Sequence, residues 1–348
     1  MELTFRWFGD DDPVKLEYIK QIPNMEGIVS ALYDVEIGDA WPLDKILELK
    51  KKVENEGLKL SVIESVPVHE DIKLGLDTKD QYIENYIESI RNISKAGIKT
   101  ICYNFMPVFD WTRSSIDKEL EDGSKTLIYD HKEILKMDQN NESISLPGWA
   151  ANYEDRELKG LLSKYKVLTD EKMWENLEYF LKKIIPVAEE ASVKMAIHPD
   201  DPPWSIFGLP RIVTNKDNLE RLVNIVDSPS NGLTICTGSL GVDNKNDIID
   251  IIKHFGNKEK INFVHFRNIK RFEDKNFDET AHASNYGSLD MYCIIKACVD
   301  FGYDGPIRPD HGRMIFGETG KAGYGLYDRA LGATYFNGLL EAIVKSSN

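Results

Sequence analysis

The sequence predicts a (β/α)8 TIM barrel, and three observations carry that prediction. Eight short runs rich in β-branched, aromatic and aliphatic residues recur along the chain, segments of helical periodicity separate them, and 348 residues suit one large α/β domain spanning 1–348. Alternating β and α units with right-handed crossovers account for this pattern more economically than two doubly wound sheets do.

In order, the first strand is read in LTFRWF (3–8) and the second in GIVSALYDV (27–35), followed by a helix in LDKILELKKKVENEG (43–57). LKLSVIESVP (58–67) supplies the third strand, KDQYIENYIESIRNISKAG (79–97) the next helix and IKTICYNF (98–105) the fourth strand. Several of these helical segments close on glycine, as helix C-termini often do. The regularity then fails over residues 107–170, where a polar stretch with little apolar content interrupts the alternation. An insertion after a barrel strand lies at the C-terminal mouth, so this one is expected to cover the active site or to form a subunit interface. Helical character returns in EKMWENLEYFLKKIIPVAEEAS (171–192), leading into a fifth strand, VKMAIHP (193–199). NLERLVNIV (218–226) is the next helix, GLTICTG (232–238) the sixth strand and NFVHFRN (262–268) the seventh. MYCIIKACVDFG (291–302), PIRPDHG (306–312) and YDRALGATYFNGLLEAIV (327–344) complete the set with a helix, the eighth strand and the last helix.

Bulk properties exclude several function classes. A net charge of −15 and a pI near 5.0 disfavour nucleic acid and anionic membrane as partners, because the mean field repels polyanions. The opening MELTFRWFGDDDP lacks the basic-then-apolar pattern of a signal peptide, and no window approaches eighteen uninterrupted apolar residues, so a cytoplasmic enzyme is expected. The cysteines at 102, 236, 293 and 298 make no disulfide framework, which suits a reducing compartment and leaves a thiol free as a ligand.

Barrel chemistry is expected at the C-terminal strand ends, where side chains alternate between the interior and the helix layer. Ile197, Ile235 and Val264 suit the helix-facing side, which turns His198, Cys236 and His265 inward; by the same parity Arg308 and Asp310 point in together. His198, Cys236, His265 and Asp310 thus stand at one level on four consecutive strands, a donor set suited to a divalent first-row metal. A structural zinc is the competing reading, but a fold of this size needs no metal staple, and Arg267, Arg308, Arg313 and Tyr324 surround the same mouth. The basic RNIKR at 267–271 suits an anionic substrate, and the Gly-rich loop from 305 to 325 concentrates ionisable groups as active sites do. Asp200 or Asp201 orients a ligand or caps a turn, His69 and Glu70 lie just past the third strand at the mouth or in an ordinary polar loop, and Arg6 sits at the mouth, on the barrel floor or on the surface. CTGSLG at 236–241 lacks the lysine of a phosphate-binding loop.

The segments FRWFG, SVPVHEDIKLG, CYNFMPVFDWTR, IHPDDPPW, FGLPRIV, CTGSLG, RPDHGR and GYGLYDRALGATY, in this order, resemble those of the mannonate dehydratase family over essentially the whole chain. The resemblance implies a xylose-isomerase-like barrel, a Mn2+ or Fe2+ cofactor, and dehydration of D-mannonate to 2-dehydro-3-deoxy-D-gluconate in hexuronate (glucuronate) breakdown. It maps the metal onto His198, Cys236, His265 and Asp310. Removing water from a sugar acid then needs a base at C2 and an acid at C3. His311 and Tyr324 are the expected pair, with the base assigned to His311, and Arg6, His69, Arg267, Arg308 and Arg313 are the expected substrate contacts. The expected partners are a small sugar acid and further copies of the chain, as a dimer or higher homo-oligomer. A metal-dependent sugar isomerase on the same barrel is the alternative, disfavoured because such sites are richer in carboxylates. A non-catalytic sugar-acid or metal sensor is disfavoured by the acid–base pair.

Overall fold

The computed structural model describes residues 1–139 and 155–346. Twelve strands are named here in chain order: β1 Glu2–Arg6, β2 Gly27–Ser30, β3 Lys59–Glu64, β4 Thr100–Tyr103, β5 Ser115–Glu119 and β6 Lys125–Tyr129. They continue as β7 Lys194–Ile197, β8 Asn231–Cys236, β9 Ile261–Phe266, β10 Ile269–Arg271, β11 Phe277–Glu279 and β12 Pro306–Pro309. Eight of them close a parallel barrel in the order β1-β12-β9-β8-β7-β4-β3-β2, so each of the eight expected runs supplies one barrel strand. Closure is made by β1, which pairs with β2 on one side and with β12 on the other. The chain is thereby a (β/α)8 barrel with no open edge in its main sheet.

Alternation along the strands sorts the side chains as the sequence leads one to expect. Ile28, Ile63, Ile101, Ile197, Ile235, Val264 and Ile307 join the large apolar layer beneath the helices. Val29, Val62, Cys102, Ala196 and Phe263 form a separate small cluster that fills the barrel interior. Above that plug, one step of two residues further along each strand, stand Glu64, His198 and His265. The floor of the site is therefore largely apolar, and its functional layer begins at the next inward-facing position.

The helices begin and end where local chemistry dictates. Thr169, Asn215, Asp247 and Asp290 each accept a backbone N–H in the first turn of the following helix. Gly57 and Gly97, past the helices Leu43–Asn55 and Lys79–Lys95, adopt φ of 77° and 81°, a backbone region open to glycine at little cost.

The stretch 107–170 contains more regular structure than its sequence suggests. It holds β5, β6 and the helices His131–Gln139 and Asp155–Tyr165, while its residues 140–154 lie outside the described residues. β5 and β6 join β10 and β11, which follow the seventh barrel strand, in a second sheet of order β10-β11-β6-β5. All its pairings are antiparallel, with Phe277 opposite Tyr129. Sequence reasoning missed this sheet, because β10 and β11 have only three residues each and the five-residue β5 and β6 lie in a polar stretch where alternation is weak.

Candidate active site

A cavity of about 500 Å3 opens at the C-terminal ends of the barrel strands, lined among others by His198, Asp201, Arg267, Arg308, Asp310 and His311. Four strands deliver the donors that parity selects. His198 Nε2 lies 3.2 Å from His265 Nδ1, and the ligand atoms of His198, Cys236 and His265 all fall within 4.8 Å of one another. Asp310 Oδ2 stands 3.6 Å from Cys236 Sγ and 3.8 Å from His265 Nδ1. His198 Nδ1 donates to the Pro199 carbonyl at 2.7 Å, which leaves the Nε2 lone pair facing the cluster. Burial lowers the His198 pKa and so favours the neutral ring that a metal needs. Two imidazoles, a thiol and a carboxylate converging on one point in a buried pocket fit a divalent first-row cation, and hard oxygen-seeking ions fit less well.

The carboxylates here are held ionised by arginines. Burial alone would raise the Asp310 pKa, but Arg308, with His311, His265 and Arg267, holds it well below the usual carboxylate range. Arg308 Nη1 lies 2.7 Å from Asp310 Oδ1, while its Nε and Nη2 donate to Glu64 at 3.1 and 2.9 Å. Arg267 donates to Asp310 Oδ2 at 3.1 Å, to Asp201 Oδ2 at 2.8 Å and to Ser239 Oγ at 3.0 Å; the Ser239 hydroxyl lies 3.1 Å from Cys236 Sγ. A side chain at position 238 would overlap the Arg267 guanidinium, which explains the first glycine in CTGSLG. Arg267 and Arg308 thus border the cavity, but much of their donor capacity is committed to neighbouring carboxylates.

His311 and Tyr324 meet beside the donors. His311 Nε2 and the Tyr324 hydroxyl are 2.8 Å apart, and both residues line the cavity. Burial, and secondarily the charge of Asp310, raise the Tyr324 pKa, so the phenol is protonated at neutral pH. Trp111 packs edge-on against the His311 ring at 5.5 Å between centroids.

Of the other expected substrate contacts, Arg6 lines the cavity, with one Nη donating to the Glu64 carbonyl and its guanidinium 4.8 Å over the Phe8 ring. Two do not reach it. His69 caps the helix Glu70–Leu74, where Nδ1 accepts from Asp71 N at 3.1 Å, and its ring stacks on Tyr82 at 3.6 Å, bordering a different, much smaller pocket. Arg313 donates to Asp328 Oδ1 at 3.0 Å and to Asp122 Oδ2 at 2.9 Å. The strands have ended by these positions, so strand parity no longer governs where a side chain points.

Sequence reasoning missed Glu64, Glu279, Arg113 and Lys321. Glu64 was legible, since it ends β3 with the inward parity of Val62. Lys321 lines the cavity, and burial together with Arg6 lowers its pKa to about 8. Asp201, weighed as a ligand-orienting residue, binds Arg113 and Arg267 and makes no contact with His198 among those described. Arg113 and Glu279 carry no sequence signal, since their meeting depends on the second sheet.

Comparison with known proteins identifies the family and the fold. The family model described as D-mannonate dehydratase (UxuA) matches residues 1–348. The chain is 59% identical over 343 residues to mannonate dehydratase 2 of Halalkalibacterium halodurans, covering 99% of both chains. It is 59% identical over 347 residues to the mannonate dehydratase of Streptococcus uberis, covering 100% of both. The crystal structure of mannonate dehydratase from Streptococcus suis superposes with a TM-score of 0.94 at 51% identity, over 100% of this chain and 96% of that one.

Proposed function

Because the chain belongs to the D-mannonate dehydratase family, its reaction is the elimination of water from a sugar acid, and we propose that this chemistry is divided among the residues at the ends of β7, β8, β9 and β12. The substrate is D-mannonate and the product 2-dehydro-3-deoxy-D-gluconate, within hexuronate breakdown in the cytoplasm. His198, Cys236, His265 and Asp310 would hold one divalent cation, Mn2+ or Fe2+. When bound there, the cation supplies Lewis acidity that offsets the negative charge developing next to the substrate carboxylate.

The chain's own residues move the protons. His311 Nε2 removes the proton from C2, and the electron pair left behind forms the C2–C3 double bond as the C3–O bond breaks. The Tyr324 hydroxyl gives its proton to the departing oxygen, which leaves as water. The resulting enol gives up its C2 hydroxyl proton to water as C3 takes one, and becomes the 2-keto acid. The 2.8 Å contact between His311 Nε2 and the Tyr324 hydroxyl lets the proton taken at C2 pass to the phenolate, which resets both groups. That contact, beside a four-donor cluster in one cavity, is the observation that carries the reading.

Arg6 holds the substrate, whereas Arg267 and Arg308 keep Asp310 ionised and aligned. The stretch 107–170 acts as a cover over the mouth, a role supported by Val108, Asp110 and Trp111 in the cavity wall. The working assembly is a homo-oligomer, supported by the exposed neighbours Phe316 and Tyr327, whose rings are 5.7 Å apart, and by exposed Leu331. Incubation of the purified protein with D-mannonate and detection of the keto acid tests the reading. Activity should vanish on exhaustive chelation and return with Mn2+, Fe2+, Co2+ or Ni2+ but poorly with Mg2+; full activity after chelation would refute the metal assignment.

A further inference from the structure

We propose that Glu279 is a positioning residue for the reaction, fixing the His311 proton on Nδ1 so that Nε2 faces the cavity as a free base. The inference rests on the assignment of His311 as the C2 base.

Glu279 ends β11, outside the barrel, yet it is fully buried. A carboxylate without water must be paired. Arg113 Nε donates to Glu279 Oε1 at 3.2 Å and Arg113 Nη2 reaches the same oxygen, while Arg267 Nε lies 3.5 Å from Oε2. These two guanidiniums outweigh burial and lower the Glu279 pKa to about 2, so it faces His311 as an anion. Thr126 Oγ1 donates to the Glu279 carbonyl at 2.9 Å and fixes the backbone that presents it.

His311 Nδ1 has two polar neighbours that ask for opposite tautomers. Glu279 Oε1, at 3.1 Å, can only accept and so requires a proton on Nδ1. Arg267 Nη1, at 3.3 Å, can only donate and so favours a lone pair there. The carboxylate wins on two counts. It is closer, and a bare Nδ1 would set a lone pair against a buried anion. Arg267 loses little, because Nη1 already donates to Asp310. With the proton on Nδ1, Nε2 accepts from the Tyr324 hydroxyl, the resting state a base requires. Without Glu279, Arg267 would be the nearest polar partner of Nδ1, the proton would move to Nε2, and the base would be blocked.

The second sheet acquires a role through this contact. Arg113 follows β4 and Glu279 follows β9, 166 residues later, and the chain of pairings from β5 through β6 to β11 brings their side chains together. The insertion and the loop after β9 jointly set the tautomer of a residue that belongs to neither.

Nitrogen-15 spectra of histidine-labelled, Zn2+-loaded protein test the proposal in the wild type, with the His311 signals identified by their loss in His311→Asn. A proton on Nδ1 and a bare Nε2 are expected; the reverse overturns the proposal. Glu279→Leu should lower kcat at least about tenfold while KM for mannonate and bound metal change less than about twofold, and Glu279→Gln, whose amide oxygen can still accept from Nδ1–H, should recover part of the loss. Wild-type kcat in Glu279→Leu, or a loss of metal and a rise in KM in parallel with the fall in kcat, would also overturn it, the second because it marks a merely structural residue. The two readings separate cleanly. If His311→Asn turns over normally, the acid–base assignment fails and the Glu279 proposal with it. If His311→Asn is slow and Glu279→Leu is not, the Glu279 proposal alone is lost.

Discussion

The ends of β7, β8, β9 and β12 face the ends of β1 to β4 across one cavity, and the two halves differ in kind. The first half presents two imidazoles, a thiol and a carboxylate within a few ångströms, followed in sequence by the His311–Tyr324 pair. The second presents Arg6 and Glu64 among the apolar or aromatic walls of Phe8, Ala31, Leu32 and Tyr33. Their link is ionic, since Glu64 at the end of β3 grips Arg308 on β12, which in turn flanks Asp310. The difference teaches that a closed barrel can set metal-binding donors and a largely apolar wall on opposite strands of one mouth. On the proposed roles, one half carries the groups that move protons together with the arginines that hold Asp310, and the other carries the wall that receives the substrate and the Glu64 carboxylate that anchors Arg308.

Substitutions can break or sharpen this division. The largest effect is expected from the donor set: His198→Ala or Asp310→Ala should lose bound metal and turnover together, with excess metal partly rescuing Asp310→Ala. Metal analysis alongside the keto-acid assay checks this, and normal metal content with normal activity would remove the residue from the set. Next, His311→Asn and Tyr324→Phe should retain metal and bind mannonate while kcat falls about 10²–10⁴-fold. Exchange of the C2 proton with D2O should vanish in His311→Asn; exchange that persists there but vanishes in Tyr324→Phe would reverse base and acid. On the opposite wall, Arg6→Ala should raise KM about tenfold with a smaller change in kcat, and a kcat defect matching that of His311→Asn would erase the proposed division. The smallest effect belongs to His69→Ala, which should leave both constants within about twofold because the ring packs on Tyr82 away from the cavity. A large loss there would show that the mouth extends further than the structure indicates.

The same contrast explains what could be read from the sequence. The barrel was legible because β-branched runs recur with helical segments between them, and the donors were legible because Ile197, Ile235 and Val264 fix the facing of their neighbours. Period-two reasoning works only inside a strand. It does not reach His69, which caps a short helix, or Arg313, which lies beyond Gly312 in the loop after β12. Arg113 and Glu279 were illegible for a different reason. Each looks like an ordinary charged residue in a polar stretch, and only the fold places one beside the other.

The second sheet also bears on how the molecule reaches its active state. Contacts distant in sequence close large loops, whose entropic cost must be met before the contacts can reward it. The join between Arg113 and Glu279 spans 166 residues, and barrel closure, marked by Thr4 Oγ1 donating to the Ile307 carbonyl, spans 303. Helices are expected to form early from local contacts, and the geometry around His311 to follow only once the seventh and eighth barrel strands have docked and β6 has paired with β11. On refolding, far-UV circular dichroism should therefore recover ahead of turnover, and a nascent chain acquires a working mouth only when its last third has emerged.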